Sequence, residues 1–150
     1  AYVLQQRMGD IARALKARYP NLRQIFISSR IYAGFATTPL NPEPYAYQSG
    51  FAAKWLIEAQ IKQLDGGGTD ARSGDLSLAV APWLTWGAYL WSRDQSRPRS
   101  DGFYWVAQDF QTDGTHPSRS GEEKVGRLLL EFFKSSAHAR CWFLAGQHCS

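Results

Sequence analysis

A chain of 150 residues, 44% apolar and 14% aromatic, has the size of one ordinary globular domain. At that length a folded chain buries about 68–70% of its extended surface, so a core is expected without metal or disulfide staples, and a disordered chain is not. Two cysteines, with no Cys/His cluster at zinc spacing, exclude a cysteine-rich miniprotein and a zinc finger.

The net charge of +4 is scattered from Arg7 to Arg140. Its densest group, Arg93, Arg97 and Arg99, shares a loop with Asp94, Pro98 and Asp101, which reads as a solvated turn and argues against nucleic acid as a partner. The longest uncharged stretch, Leu76 to Ser92, is broken by Pro82 and Gly87, so no membrane span is expected and the chain reads as soluble. It opens on Ala-Tyr-Val-Leu-Gln-Gln-Arg with no signal pattern, as a segment starting inside a longer gene product would.

In chain order, Val3, Leu4, Met8, Ile11, Ala12 and Leu15 recur at helical spacing and predict an amphipathic helix over 2–19, closed by Pro20-Asn21. The β-branched and aromatic run around Ile25-Phe26-Ile27 predicts a buried parallel strand, and helix then strand is half of a βαβ unit. Residues 30–47, with Gly34, Pro39, Pro42 and Pro44 among Tyr32, Phe35, Tyr45 and Tyr47, predict a long aromatic loop beyond that strand's C-terminal end. Ser49 reads as the N-cap of a helix to about Leu64, closed by Gly66-Gly67-Gly68. Leu76 to Trp91 reads as a strand with an extension near the core. The last helix begins after Pro117, capped by Ser118 or Ser120, and presents Val125, Leu128, Leu129, Phe132 and Phe133 to the core. Helices alternating with buried strands predict a three-layer α/β domain.

The most specific feature is Asp113-Gly114-Thr115-His116-Pro117-Ser118, followed by Gly121 and the last helix. Pro117 disfavours the α region at His116 and holds it in extended or turn geometry just before a helix begins. Across Gly114 a turn can return the Asp113 carboxylate to the imidazole. A general base needs that pairing, because the carboxylate fixes the tautomer on one ring nitrogen and leaves the other to accept a proton. An arbitrary Asp-x-x-His is more often a turn cap beside a surface histidine, but the surrounding block shifts the balance.

That block, with its following glycine and amphipathic helix, resembles the last conserved block of the SGNH, or GDSL-type, hydrolases. The resemblance implies a flavodoxin-like three-layer α/β/α fold and a serine esterase acting on small-molecule or carbohydrate esters, without metal or organic cofactor. It implies Asp113 as the orienting acid and His116 as the base. The element order agrees with the C-terminal half of such a fold, which predicts a partial version with residues 1–136 as one α/β domain and 137–150 as a tail. The family's Gly-Asp-Ser block is absent: Gly9-Asp10 is followed by Ile11 and Gly74-Asp75 by Leu76, and no Gly-x-Asn-Asp occurs. A base without its nucleophile cannot run two-step ester chemistry.

The missing serine is either outside this chain, supplied by a second chain, or recruited from within. Ser28 and Ser29 lie at the end of the strand around Ile25–Ile27, where ligands bind in open α/β sheets, yet they also read as ordinary strand-end hydroxyls. Ser49 is better explained as a cap. Arg30 and Tyr32 would share a crevice with His116 in this fold and contact substrate, although packing is the commoner role for a loop tyrosine. Cys141 and Cys149 enclose a short loop with Gly146, so a local disulfide is geometrically feasible in an oxidising compartment. Export of many proteins of this kind favours the bridge and a secreted or periplasmic location. The alternative function is a non-catalytic carbohydrate-binding or structural module that keeps the scaffold. A partial sheet would leave an uncovered edge and favour homo-oligomers.

Overall fold

The computed structural model describes residues 1–148. They form two compact units, one from Ala1–Arg30 and Pro44–Trp86, the other from Ile31–Glu43 and the described residues from Gly87 onward.

The first unit contains α1 (Tyr2–Arg18), β1 (Gln24–Ile27), α2 (Tyr45–Leu64) and β2 (Trp83–Trp86). The two strands pair in parallel, Ile25 opposite Leu84 and Ile27 opposite Trp86, with α2 between them in sequence. Side chains alternate across a sheet, so these four apolar residues share one face. That face packs with Ala12 and Met8 of α1, with Leu56, Ile57 and Ala59 of α2, and with Leu76 and Ala81. The chain is therefore of mixed helix and strand with a parallel pair, as expected at the level of class. Every residue of β1 is half-buried, where full burial was predicted.

Gln60, fully buried on α2, donates through Nε2 to the carbonyls of Leu76 and Pro82, both at 2.9 Å, and accepts the Leu84 N–H on Oε1 at 2.7 Å. The Trp83 N–H points to Arg23 on the β1 side. Strand amides alternate in direction, so the Leu84 N–H faces the opposite edge of β2, and Gln60 closes that edge locally.

Three local expectations are corrected. The buried face of α1 is Gln5, Gly9 and Ala12, while Val3 and Ile11 are 70% and 56% exposed. The cause is the approach of segment 70–75: a Cβ on Gly9 would lie 2.4 Å from the Ser73 carbonyl oxygen, and Gln5 Nε2 donates to Ser73 Oγ at 2.9 Å. Only a face of small and polar residues fits there. Second, α2 starts at Tyr45 after Pro44, and Ser49 sits inside it, donating back to the Ala46 carbonyl at 2.6 Å. A serine hydroxyl bonds the preceding turn as readily as it caps one. Third, only Trp83–Trp86 of the 76–91 stretch is strand. Asp75 Oδ1 accepts the Ser77 N–H at 2.8 Å, and the Val80 and Ala81 amides return to the Ser77 carbonyl, so a turn forms before Pro82 resets an extended chain.

The second unit holds a 3₁₀ turn (Ala107–Asp109), α3 (Arg119–Ser135) and the short α4 (Arg140–Phe143). Its core is aromatic: Tyr32, Trp105 and Phe110 are buried, with Ile31, Phe35, Trp91, Phe103 and Val125 against them. Trp105 is wholly enclosed and its indole N–H reaches the Leu90 carbonyl at 3.1 Å, as a buried tryptophan requires. Ser118 is the N-cap residue of α3, in extended geometry, but its hydroxyl donates to the Gln108 carbonyl at 2.7 Å instead of to the helix. Along α3 the apolar stripe is only half-buried beyond Val125. The segment read as a tail carries α4, whose Phe143 stacks on Phe133 with ring centroids 5.4 Å apart. Cys141 lies in α4; Cys149, its expected partner, lies outside the described residues.

Arg99 is drawn inward. It pairs with both Asp101 oxygens at 3.0 and 2.5 Å and lies over the Phe103 ring at 4.7 Å, so the arginine-rich loop is partly neutralised from within. Among the described residues no helix is long and apolar enough to cross a membrane.

Candidate active site

Residues 110–117 form a closed loop. Its stem is an antiparallel bridge between Phe110 and Pro117, tightened by the Gln111 N–H on the His116 carbonyl at 2.8 Å. The Gly114 N–H returns to the Gln111 carbonyl at 2.8 Å, and Gly114 itself has φ +62°. A side chain there would be strained by that φ and would collide with the backbone of Phe35, whose carbonyl oxygen lies 1.8 Å from where a Cβ would sit. Glycine is thus required twice over at this position.

On this loop Asp113 and His116 meet. Asp113 Oδ2 lies 2.5 Å from His116 Nδ1, while Oδ1 accepts the Thr115 and His116 N–H groups at 2.9 and 3.0 Å. One carboxylate therefore closes the turn with one oxygen and orients the imidazole with the other. The backbone carbonyl of Asp113 is held in turn by the N–H and hydroxyl of Thr37, at 3.0 and 3.2 Å. With Nδ1 facing the carboxylate, Nε2 is the nitrogen left for proton transfer, on a side chain that is 59% exposed.

The His116 ring, and after it the Thr115 and His116 amides, hold the Asp113 carboxyl at about 2, below its ordinary 3.8. A carboxyl depressed in the folded state stabilises it above the ordinary value and loses that contribution as the pH falls through the folded one. The Thr115 and His116 amide resonances are accordingly expected to titrate with a midpoint near 2. A midpoint at the ordinary 3.8 would show that these bonds do not form in solution.

The other expected site residues fall as follows. Tyr32 is buried, its ring edge-on to Phe35 and Trp91 at 5.5 and 6.2 Å, which makes it part of the aromatic core. Arg30 is exposed at the end of a segment of the first unit. Ser28 and Ser29 follow the C-terminal end of β1, the first half-buried and the second buried, and Ser49 is held within α2. All three serines belong to the first unit, Asp113 and His116 to the second. Among the described residues no hydroxyl bonds the His116 ring, and the nearby Ser118 and Ser120 both donate to the Gln108 carbonyl.

Sequence reasoning passed over Thr37, Asp109 and Lys124. Asp109 is almost fully buried, its Oδ2 2.5 Å from Lys124 Nζ and its Oδ1 accepting from Ser120 Oγ at 3.0 Å. Burial pushes its carboxyl up, but Lys124, the Val106 N–H and Ser120 outweigh this and leave it below the ordinary range. No periodicity or motif links residues 15 apart in this way. Comparison with protein-family models, with curated proteins and with solved structures returns no match.

Proposed function

We propose that this chain carries the acid–base pair of a carboxylic ester hydrolase of SGNH type, built on a flavodoxin-like three-layer α/β/α fold of which the parallel β1–α2–β2 unit is a part. The observation that carries the reading is the contact of Asp113 Oδ2 with His116 Nδ1 at 2.5 Å, on a loop leading straight into α3. In this role Asp113 keeps the proton on Nδ1 and stabilises the imidazolium.

The chemistry follows from that tautomer. A serine Oγ gives its proton to His116 Nε2 and attacks the ester carbonyl carbon, whose π pair moves to oxygen. As the tetrahedral intermediate collapses, the bond to the leaving alkoxide breaks and the alkoxide takes the proton from Nε2. Water then repeats the sequence on the acyl-enzyme, with Nε2 as base, and yields the carboxylic acid and free serine. Ser28 and Ser29 remain the candidates within the chain because ligands bind beyond the carboxyl ends of strands in open α/β sheets, and Ser49 is weaker because its hydroxyl is bonded within α2.

A second reading, a non-catalytic carbohydrate-binding or structural module, draws on the absence, among the described residues, of a hydroxyl bonded to the His116 ring and on the turn-closing bonds of Asp113 Oδ1, which need no catalysis. The two separate in one experiment. On the esterase reading, short p-nitrophenyl esters are hydrolysed and a fluorophosphonate labels one serine, located by peptide mapping. A folded sample that takes no label and turns over no ester in a panel sinks a serine recruited from within the chain, and one that also binds sugars favours the module.

A further inference from the structure

We propose that the buried Asp109–Lys124 ion pair is a positioning device for the His116 base, fixing the two legs of the loop that carries Asp113 and His116. Its functional consequence rests on the reading of His116 as a general base; its structural content does not.

Asp109 ends the 3₁₀ turn on the incoming leg and touches the outgoing leg at three points. Its carbonyl accepts the Ser118 N–H at 2.8 Å, its Oδ1 accepts the Ser120 hydroxyl at 3.0 Å, and its Oδ2 meets Lys124 Nζ at 2.5 Å. The first turn of α3 reaches Asp109 because Gly121 has no side chain: a Cβ there would sit 2.1 Å from the Asp109 carbonyl oxygen. Oδ2 also accepts the Val106 N–H at 3.0 Å, and Lys124 donates to the Tyr104 carbonyl at 3.1 Å, so the lysine ties α3 to the incoming leg before the 3₁₀ turn. Next along the chain from these anchors come the Phe110–Pro117 bridge and the loop itself.

A buried ion pair is a poor device for stability alone, since apolar side chains of similar volume often serve as well. What the pair adds is direction. Four donors converge on the backbone and side chain of Asp109 from α3 or the residue before it and from Val106, and together they set the spacing of the loop's ends. With side-chain exposures of 3% for Asp109 and 21% for Lys124, solvent does little to screen them.

The test uses the whole chain and the low-field proton resonance of His116 Nδ1–H, a signature of the short contact with Asp113, with the Trp105 indole N–H as marker of an intact core. Lys124→Met, and the apolar swap D109L/K124M, are expected to broaden or lose the His116 resonance while the Trp105 signal stays. Both are expected to move the Asp113 midpoint from about 2 towards 3.8. Lys124→Arg, which keeps a cation, is expected to retain the resonance. The proposal is overturned if the apolar swap folds with resonance and midpoint unchanged, or if it fails to fold at all, because the pair's role is then stability. The readout needs no turnover, so a wild-type chain without esterase activity would leave this inference standing.

Discussion

On the esterase reading, His116→Ala is expected to abolish ester hydrolysis, and Asp113→Asn to lower kcat by about 10⁴-fold while leaving the fold in place. The alanine variant removes the group proposed to accept the nucleophile's proton, whereas the asparagine variant is the sharper probe. Asn has the shape of Asp, and its Oδ1 can still accept the Thr115 and His116 N–H groups that close the turn, at 2.9 and 3.0 Å in the native loop. Its amide nitrogen, however, would take the place of Oδ2 beside His116 Nδ1, 2.5 Å away in the native loop. Two donors cannot share that contact, so the imidazole proton moves to Nε2, and the nitrogen that should accept a proton already bears one. A 10⁴-fold loss corresponds to about 5.5 kcal/mol of transition-state stabilisation. Esterase assays with circular dichroism on both variants decide it. Turnover retained in His116→Ala would refute the base, and an Asp113→Asn rate within a few-fold of wild type would show that the carboxylate serves the turn and not the tautomer.

The parts of this site that are legible in the sequence are those made by neighbours in the chain. Asp113, Gly114, His116 and Pro117 lie within five residues, and the constraints that bring carboxylate to ring, a left-handed glycine and a proline-restricted histidine, are local. The three long helices and β1 were legible for the same reason, since helical periodicity and a short β-branched run are properties of short windows, whereas α4 lies in the segment read as a tail. What was not legible comes from distant backbone meeting a helix. Gly9 and Gln5 face the core side of α1 because the Ser73 backbone and hydroxyl lie against them, which shifts the buried face away from Val3 and Ile11 while Met8 and Ala12 stay on it. Likewise Gly114 meets Phe35, Gly121 meets Asp109, and Lys124 finds Asp109 across 15 residues. Amphipathic patterning assumes that apolar side chains mark the buried surface. Where a backbone or a buried polar group makes the contact, small and polar residues take those positions and the pattern misleads.

Gln60→Leu is the substitution expected to damage the first unit most. Leucine keeps the volume and helix propensity of glutamine, so the change isolates three hydrogen bonds. It leaves the Leu76 and Pro82 carbonyls and the Leu84 N–H, all bound by Gln60 at 2.7–2.9 Å, without that partner in a fully buried setting. Each orphaned group costs about 1–3 kcal/mol, so a loss on the order of 4 kcal/mol is expected, a large share of the roughly 5–15 kcal/mol that holds a typical domain together. The position of these groups adds a second consequence. A sequence reading that expects an uncovered sheet edge expects self-association through it, yet the outward Leu84 N–H of β2 is capped by a side chain of α2. Removing the cap uncovers a strand edge that can pair with another copy. Denaturant unfolding should therefore show a lowered midpoint, and sedimentation at concentrations where the native chain keeps one size should show larger species for Gln60→Leu. Gln60→Glu, which retains an acceptor for Leu84 but loses both donors, should lie between the two in association. Equal stability of the leucine variant and the native chain would mean that the edge of β2 is satisfied by other means.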